Sequence, residues 1–187
     1  NTVVAQIAAE ETGLPIEKIR IIRGDSANCP FDAGSIASRN TLHTGNAVRL
    51  ACQDLKKKAV DMASKKFEIS PEEIDFKGGN LHIKGTPEKI IKLSSLFTGE
   101  GLPLTGAELS ASASFNLRNV HEAPETGQSE RSKASYCHGA HAVEVAVNEE
   151  TGEVKVLRIA GCFDVGYPIN PKMVESQIEG GFGMGIG

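Results

Sequence analysis

The chain lacks the features that mark nucleic-acid-binding and membrane-spanning proteins. Its 20 lysines and arginines are outnumbered by 24 aspartates and glutamates, which gives a formal net charge of -4. Without a basic surplus there is little to displace the counterions of a nucleic acid, so non-specific binding to nucleic acids is not expected. No apolar run approaches the ~20 residues that a membrane-spanning helix needs. Of the 187 residues, 40% are hydrophobic and 24% are charged, which is typical of a globular protein with a real core.

The sequence also lacks paired cysteines. Its four cysteines are widely spaced and none forms a Cys-x-x-Cys pair, so zinc ribbons and ferredoxin-type clusters are not expected within this chain. Isolated cysteines without a disulfide framework fit a reducing compartment, and we predict a cytoplasmic location. Two catalytic signatures are missing as well. No Gly-Lys-Ser/Thr completes a Walker A loop, and no Gly-x-Ser-x-Gly forms a nucleophile elbow.

The hydrophobic periodicity that is present predicts a mixture of helices and hairpins. The predicted elements are, in chain order, a helix over 2–12, a strand over 19–23, a loop over 24–37, a long helix from about 38 to 66, a hairpin of 74–77 with 81–84, a short helix or turn over 88–97, a strand over 107–116, a loop over 117–134, a hairpin of 138–148 with 154–164, and a glycine-rich C-terminal helix. This mixture indicates the α+β class.

The two ends of the sequence suggest a piece of a longer polypeptide. No initiator methionine is present, Asn1 stands at a helix start, and Gly187 lies inside a glycine run. We therefore expect residues 1–187 to be a fragment of a larger chain, which can be subdivided near residues 68–135.

The C-terminal helix is unusually rich in glycine. Asn170 and Pro171 are typical of a helix start, with Asn as N-cap and Pro at the first helical position. Each glycine inside a helix costs about 1 kcal/mol relative to alanine. Five of the following residues are nevertheless glycine, at positions 180, 181, 183, 185 and 187. We expect either another backbone or a ligand to come close here, and the Gln177 amide is suited to reading the edge of a heterocycle.

The segment Gly34–Asn40 precedes the long helix and combines small residues with hydroxyls. Free N–H groups at a helix start, aided by the helix dipole, attract an anion, so a phosphate or a strongly polar cofactor fits here. The alternative is a plain helix start with Ser38 as the capping residue.

Other polar candidates favour structural roles. His138 and His141 are three apart, and on a strand that spacing points them to opposite faces, so a shared metal is not expected. His43, His82 and His121 are expected to be surface or satisfied structural residues. Asp164 with Asn170 could pair an acid with an amide, but an Asx turn at Asp164 is the preferred interpretation.

Several motifs in order resemble one family. The first is Val3–Pro15, and Gly24-Asp-Ser then precedes Pro30-x-Asp-x-Gly-Ser-x-Ala-Ser-Arg39 and Thr44-Gly-Asn-Ala-Val48. Later come the hairpin 143–156 and the run Asp164-Val-Gly-x-x-Ile-Asn-Pro, Gln177-Ile-Glu-Gly-Gly and Gly-x-Gly. Together they are similar to the C-terminal half of the molybdenum-cofactor subunit of xanthine dehydrogenases and aldehyde oxidases. The resemblance runs from residue 1 to 187 and is weakest over 68–135.

The resemblance implies a molybdopterin-binding-domain-like fold within an enzyme that hydroxylates an N-heterocycle or an aldehyde, with water as the oxygen source. It also implies partners: an iron–sulfur domain or subunit, with or without an FAD-containing one. Gln177 is implied to hydrogen-bond the pterin. The residues implied to grip the pterin and its phosphate tail, through hydroxyls and backbone N–H groups, are Ser35, Ala37, Ser38, Arg39 and Asn40.

The sequence departs from the family pattern in ways that limit these expectations. Asn40 stands where a serine is common. The family's Gly-Gln-Gly segment is expected before Asn1 and its base glutamate beyond Gly187, so no catalytic residue or metal ligand is assigned here. We predict that the isolated chain binds the cofactor weakly and has no hydroxylase activity. A non-enzymatic binding or assembly module and a carbon monoxide dehydrogenase-like member of the fold are the alternatives.

Overall fold

The structure is a computed structural model, and its described residues form helices and small antiparallel sheets, which confirms the predicted α+β class. It describes residues 2–32, 34–36, 38–97, 109–117, 125, 127–128, 133 and 135–187. The chain divides into two compact units, Asn1–Asn116 and Leu117–Gly187. No helix in the described ranges is both long and apolar enough to cross a lipid bilayer.

The regular elements fall in both units. The first unit contains α1 (Thr2–Thr12), α2 (His43–Phe67), β1 (Ile74–Lys77), β2 (Asn80–Ile83), β3 (Thr86–Lys92) and short 3-10 turns at Ile16–Lys18, Pro71–Glu73 and Leu93–Leu96. The second contains β4 (His138–Val147), β5 (Val154–Asp164) and α3 (Pro171–Ile186).

Helix α1 ends where the sequence predicts, at Gly13. This glycine adopts a φ of +66°, and a Cβ there would lie 2.8 Å from the backbone nitrogen of Gly78. Both the left-handed conformation and the close approach therefore require glycine. Lys56 of α2 fixes the same end of α1, because its ammonium donates to the Glu11 backbone oxygen at 2.7 Å and to the Glu11 carboxylate at 3.1 Å.

The sheet of the first unit has the strand order β1-β2-β3, all antiparallel. Gly78 and Gly79 join β1 to β2 with φ values of +59° and +72°, and a two-residue turn with positive φ at both positions suits the twist of a hairpin. The predicted first hairpin is therefore confirmed. One face of this sheet packs on α2 to form the core. The buried residues of the core are Ala59, Ala63, Ile74, Leu81 and Leu96.

Two predicted segments of the first unit are wrong, and a third, the short helix or turn over 88–97, is borne out only at Leu93–Leu96. Residues 19–23 are not a strand, because neither sheet of the described residues pairs with them, and Ile22 is exposed. Residues 88–92 belong to β3 rather than to a helix, since a turn at Lys84–Gly85 brings them back along β2. Residues 109–116 have no regular structure, and positions 107 and 108 lie outside the described residues.

The second unit confirms the predicted hairpin and the C-terminal helix. β4 and β5 pair antiparallel over their full length, with one register shift at Glu144/Val145. Leu157 has no partner in that register, so it forms a β-bulge. The connecting turn is capped by the Asn148 side chain, which accepts from the backbone N–H groups of Glu150 and Thr151.

Helix α3 is seated on this hairpin through aromatic rings. His141 contacts the rings of Phe163 and Phe182 edge-on, at centroid distances of 5.0 and 5.1 Å. Gly161, which pairs with His141, leaves the space that Phe182 fills, because a Cβ at this position would lie 2.5 Å from the Phe182 ring. The packing of α3 on the hairpin thus requires glycine at position 161 of β5.

The start of α3 supplies a first testable prediction. Asn170 Oδ1 accepts from the Met173 backbone N–H at 3.1 Å, and Pro171 occupies the first turn. Asn170→Ala is expected to lower the free energy of unfolding by about 1 kcal/mol, since the cap hydrogen bond is lost. Urea unfolding of the 187-residue chain measures this, with the exposed mid-helix Glu175→Ala as the control. An equal loss in both variants would show that the cap contributes nothing of its own.

Candidate functional site

The residues predicted to grip the cofactor lie on a cross-linked segment. Asp32 Oδ1 accepts from the Gly34 backbone N–H at 2.6 Å and from Arg39 Nη1 at 2.9 Å. The Asn40 side-chain amide donates to Ser35 Oγ at 2.5 Å. The structure therefore brings Ser35, Arg39 and Asn40 together in one loop, which we call the 32–40 segment. Ser35 and Ser38 are exposed, so their hydroxyls are accessible.

The helix after this segment begins later than predicted. α2 starts at His43 rather than near residue 38, and its N-cap position is Leu42 without a side-chain cap. The alternative in which Ser38 caps the helix is therefore wrong. Ser38 instead adopts a left-handed φ of +56°, which is uncommon for a residue other than glycine and marks a strained position.

The first donors of α2 are partly taken by the chain itself. The His43 N–H donates to Arg39 O at 2.7 Å, and the Gly45 N–H donates to Asn40 O at 3.0 Å. The expected row of free N–H groups at the helix start is thus reduced. Any anion held here depends more on the hydroxyls and the amides of the 32–40 segment than on the dipole of α2.

His43 follows this segment and carries an unsatisfied atom. Its ring packs edge-on to Phe115 at a centroid distance of 6.1 Å. Its Nδ1 is buried, yet it has no hydrogen-bond partner among the residues that the structure describes. The expectation of a surface or satisfied histidine is wrong at this position. A buried polar atom without a partner lowers the stability of the fold by about 1–3 kcal/mol. A polar group of a ligand that bonds His43 Nδ1 would remove that destabilisation.

The negative charge of the segment lies on the Asp32 carboxylate. The Gly34 backbone N–H lowers the pKa of this carboxyl below its ordinary value of 3.8, and the guanidinium of Arg39 and the ring of His43 act in the same direction. A lowered pKa means that the carboxylate's contribution is present above about that ordinary value. It is lost as the pH falls through the lowered pKa. At neutral pH the segment is therefore held by a fully ionised Asp32.

Gln177 lies in the second unit, on α3, and its side chain is exposed. The glycines at 180, 181, 183 and 185 have no atom of the described residues within 4 Å of the position where a Cβ would stand. Close packing on another described element of the second unit therefore does not explain these four glycines. Their bare backbone stays available for a ligand.

The remaining candidates have structural roles. The Gly166 N–H donates to Asp164 Oδ1 at 2.9 Å, so the preferred Asx turn is confirmed. His141 packs on two phenylalanine rings. His138 lies three residues from His141 on β4. Because side chains alternate along a strand, it lies on the opposite face from His141. Within the described ranges no group of three or more histidine, cysteine, aspartate or glutamate side chains could hold a metal.

Some predicted residues lie outside the described ones, and others were missed. Ala37, Asn1, His121 and most of the loop 117–134 fall outside the described residues. The structure adds Asp32, which lies within the Pro30–Arg39 motif and was not predicted to have a role. The spacing Asp32-x-Gly34 is typical of an Asx turn and could have revealed it.

Comparison with known proteins decides the family. The family model of the molybdopterin cofactor-binding domain matches residues 1–187. The chain belongs to this family. It is 29% identical over 182 residues to the carbon monoxide dehydrogenase large chain of Hydrogenophaga pseudoflava, covering 97% of this chain and 21% of that one. It is 30% identical over 190 residues to a putative xanthine dehydrogenase molybdenum-binding subunit of Escherichia coli K12, covering 100% of this chain and 23% of that subunit.

A solved structure agrees with the family in fold. Carbon monoxide dehydrogenase from Oligotropha carboxidovorans matches with a TM-score of 0.71 and 27% identity, over 96% of this chain and 21% of that chain. The chain thus spans about a fifth of the length of the relatives it matches. Members of this family bind molybdopterin, so the comparison confirms the predicted cofactor, and the resemblance found in the sequence is confirmed.

Proposed function

We propose that this chain holds molybdopterin within a molybdenum hydroxylase that oxidises a carbon centre of an N-heterocycle, purine-like, or of an aldehyde, with water as the oxygen source. The observation that carries the proposal is the family match over residues 1–187, together with the exposed hydroxyls of the cross-linked 32–40 segment. When bound, the molybdenum centre on the pterin supplies the oxygen-transfer and electron-transfer chemistry.

The residues of this chain bind and orient the cofactor. Ser35 and Ser38 carry hydroxyls that suit a phosphate tail. By the family resemblance, Ala37, Arg39 and Asn40 are proposed to add to this donor set, although the Arg39 backbone N–H donates to Ile36 O at 3.1 Å in this structure. Gln177 on α3 offers an amide that can donate to and accept from the pterin. The orphaned Nδ1 of His43 supports a polar group beside this segment. Proton abstraction is not assigned to any residue of this chain.

The proposal includes partners and location. Iron–sulfur clusters, with or without FAD, on other domains or subunits would carry the electrons away from the cofactor. A cytoplasmic location fits the four free cysteines of the described structure. The 187-residue chain by itself is proposed to bind the cofactor weakly and to be inactive.

A carbon monoxide dehydrogenase-like role is the second candidate. It is favoured by the 29% identity to the large chain of the Hydrogenophaga pseudoflava enzyme and by the TM-score of 0.71 to a solved carbon monoxide dehydrogenase. The xanthine dehydrogenase subunit of Escherichia coli K12 is equally similar, at 30% identity. The substrate is thus decided by assay, with carbon monoxide, xanthine and an aromatic aldehyde as parallel substrates.

The deciding experiment is molybdenum content. The full-length protein that contains this chain is purified from its native host and measured by elemental mass spectrometry. We expect about one molybdenum per chain, with pterin released on denaturation. A folded protein without molybdenum, from a host that makes the cofactor, would favour a non-enzymatic binding or assembly module instead.

A substitution at Ser38 tests the site itself. Glycine removes the hydroxyl. It stabilises the folded state by relieving a left-handed conformation that costs about 1–2 kcal/mol. It also stabilises the unfolded state, through higher chain entropy, by about 0.4–1 kcal/mol. Ser38→Gly is therefore expected to leave the free energy of unfolding nearly unchanged and to lower the pterin content of the full-length protein.

Glu68→Gly is the matched control for Ser38→Gly. Glu68 is the other non-glycine residue of the described chain with a positive φ, at +54°, and it ends α2 away from the 32–40 segment. This variant should show a similar stability change with full pterin content. Wild-type pterin content in Ser38→Gly would remove the role given to the Ser38 hydroxyl.

A further inference from the structure

One carboxylate closes the 32–40 segment. Asp32 Oδ1 accepts both the Gly34 N–H and Arg39 Nη1. Arg39 Nη1 donates in addition to Gly34 O at 3.1 Å. The guanidinium therefore ties the end of the segment to its beginning through two acceptors. Hydrogen bonds between charged groups are about twice as strong as neutral ones.

This closure ties the described residues of the segment to one another. Between the two tied ends lie Ser35 and Ser38, whose hydroxyls are exposed, and Ser38 is in a left-handed conformation. A strained residue persists only where its surroundings over-determine it. The Asp32–Arg39 pair and the Asn40–Ser35 hydrogen bond are the cross-links that the described residues provide for this.

We propose that Asp32 is a positioning residue for the cofactor-binding segment and that the Arg39 side chain acts through Asp32 rather than on the cofactor itself. The inference rests on the proposed function. Arginine often pairs with a phosphate, which is the competing role for Arg39. Against it, Arg39 Nη1 already serves Asp32 and Gly34, and the Arg39 side chain is only 24% exposed.

The preorganised segment would lower the ordering cost of binding. A loop that is already in its bound shape loses less conformational freedom when the ligand arrives. Loss of Asp32 should therefore act twice: it loosens the segment in the cofactor-free protein, and it speeds cofactor release. If Arg39 instead contacted the cofactor directly, its loss would also speed cofactor release. That effect would then be independent of the loss of Asp32.

The test is a double-mutant cycle in the full-length protein. The variants are Asp32→Ala, Arg39→Gln and their combination. The first readout is hydrogen exchange of peptides that span residues 34–43 in cofactor-free protein, and the second is the rate of pterin release from loaded protein. We expect each single variant to exchange about tenfold faster over this region and to release pterin about tenfold faster. The combination should be no faster than the faster single variant.

Two further variants sharpen the cycle. Asp32→Asn keeps the acceptor for the Gly34 N–H but loses the charge, so its effects should lie between wild type and Asp32→Ala. Asp25→Ala is the matched control, because Asp25 holds a neighbouring turn by accepting the Ala27 N–H at 3.0 Å and the Asn28 side-chain amide at 2.6 Å. It should leave exchange over 34–43 and pterin release at the wild-type rates.

The outcomes separate the two hypotheses. Wild-type exchange and release in Asp32→Ala would overturn the positioning role. Release rates that multiply in the combined variant would overturn it too, since Arg39 would then act on the cofactor independently. If the wild-type protein holds no pterin, the proposed function fails, while the exchange measurements on cofactor-free protein still decide whether Asp32 positions the segment.

Discussion

Leu81→Ala is expected to be the most destabilising single substitution among the positions considered. Leu81 is fully buried and packs in the core that α2, β1 and the short turn Leu93–Leu96 build around it. Truncation removes the burial of the side chain and leaves a cavity between elements that collapse only in part. A leucine-to-alanine change in such a core costs about 2–5 kcal/mol. Urea unfolding of the 187-residue chain, followed by circular dichroism, measures the loss.

Ile90→Ala is the control for this prediction. Ile90 pairs with His82, one position along from the pair of Leu81 with Ile91, so it lies on the opposite face of the same sheet. Its side chain is 54% exposed, and its truncation is expected to cost well under half as much. If the two variants unfold at the same urea concentration, the assignment of the core to the Leu81 face is wrong.

Gly161→Val is expected to unseat α3 and to lower the free energy of unfolding by about 1–3 kcal/mol. A Cβ at this position would lie 2.5 Å from the Phe182 ring and 2.8 Å from the Phe163 ring. Valine favours strands, so its intrinsic preference would raise the free energy of unfolding. A lower free energy of unfolding would therefore come from the steric clash. Gln177 lies on the same helix as Phe182. The full-length variant is therefore also expected to retain less pterin.

Two companion variants test the origin of this effect. Phe182→Leu replaces the ring that would clash with a smaller side chain. Combining it with Gly161→Val should therefore recover part of the free energy of unfolding in a double-mutant cycle. Gly180→Ala, at a helical position with open space among the described residues, should stabilise the chain by about 1 kcal/mol. A Gly161→Val variant as stable as wild type would show that α3 does not need its present seat on β5.

The sequence predicted the elements whose signals are local. Asn170-Pro171 marked the start of α3, and the structure gives α3 that start with the predicted cap. Gly78-Gly79 marked the turn of the first hairpin, because few other residues accept positive φ at two successive positions. The strong β-branched alternation of β4 and β5 was likewise sufficient. These signals depend on residues that are neighbours in the chain, so no tertiary information is needed to interpret them.

The failures have a common cause. Residues 19–23 are rich in β-branched isoleucine, which favours a strand. A strand needs a partner, however, and neither sheet of the described residues pairs with them. Residues 88–92 gave a weak helical or turn signal, yet the positive φ of Gly85 returned the chain to β2, whose edge was open to pairing. The start of α2 lies at His43 rather than near residue 38, and the chain before it is a loop that the Asp32–Arg39 ion pair cross-links.

For the candidate site the division is similar. The motifs in their order resemble one family, and that resemblance implied the cofactor, while the hydrophobic periodicity indicated the α+β class. Only the tertiary structure decided that Asp32 and Arg39, seven positions apart, meet at 2.9 Å. It alone left His43 Nδ1 without a partner among the described residues and seated Phe182 over Gly161. Such contacts depend on how the backbone returns on itself, and residue type does not encode that return locally.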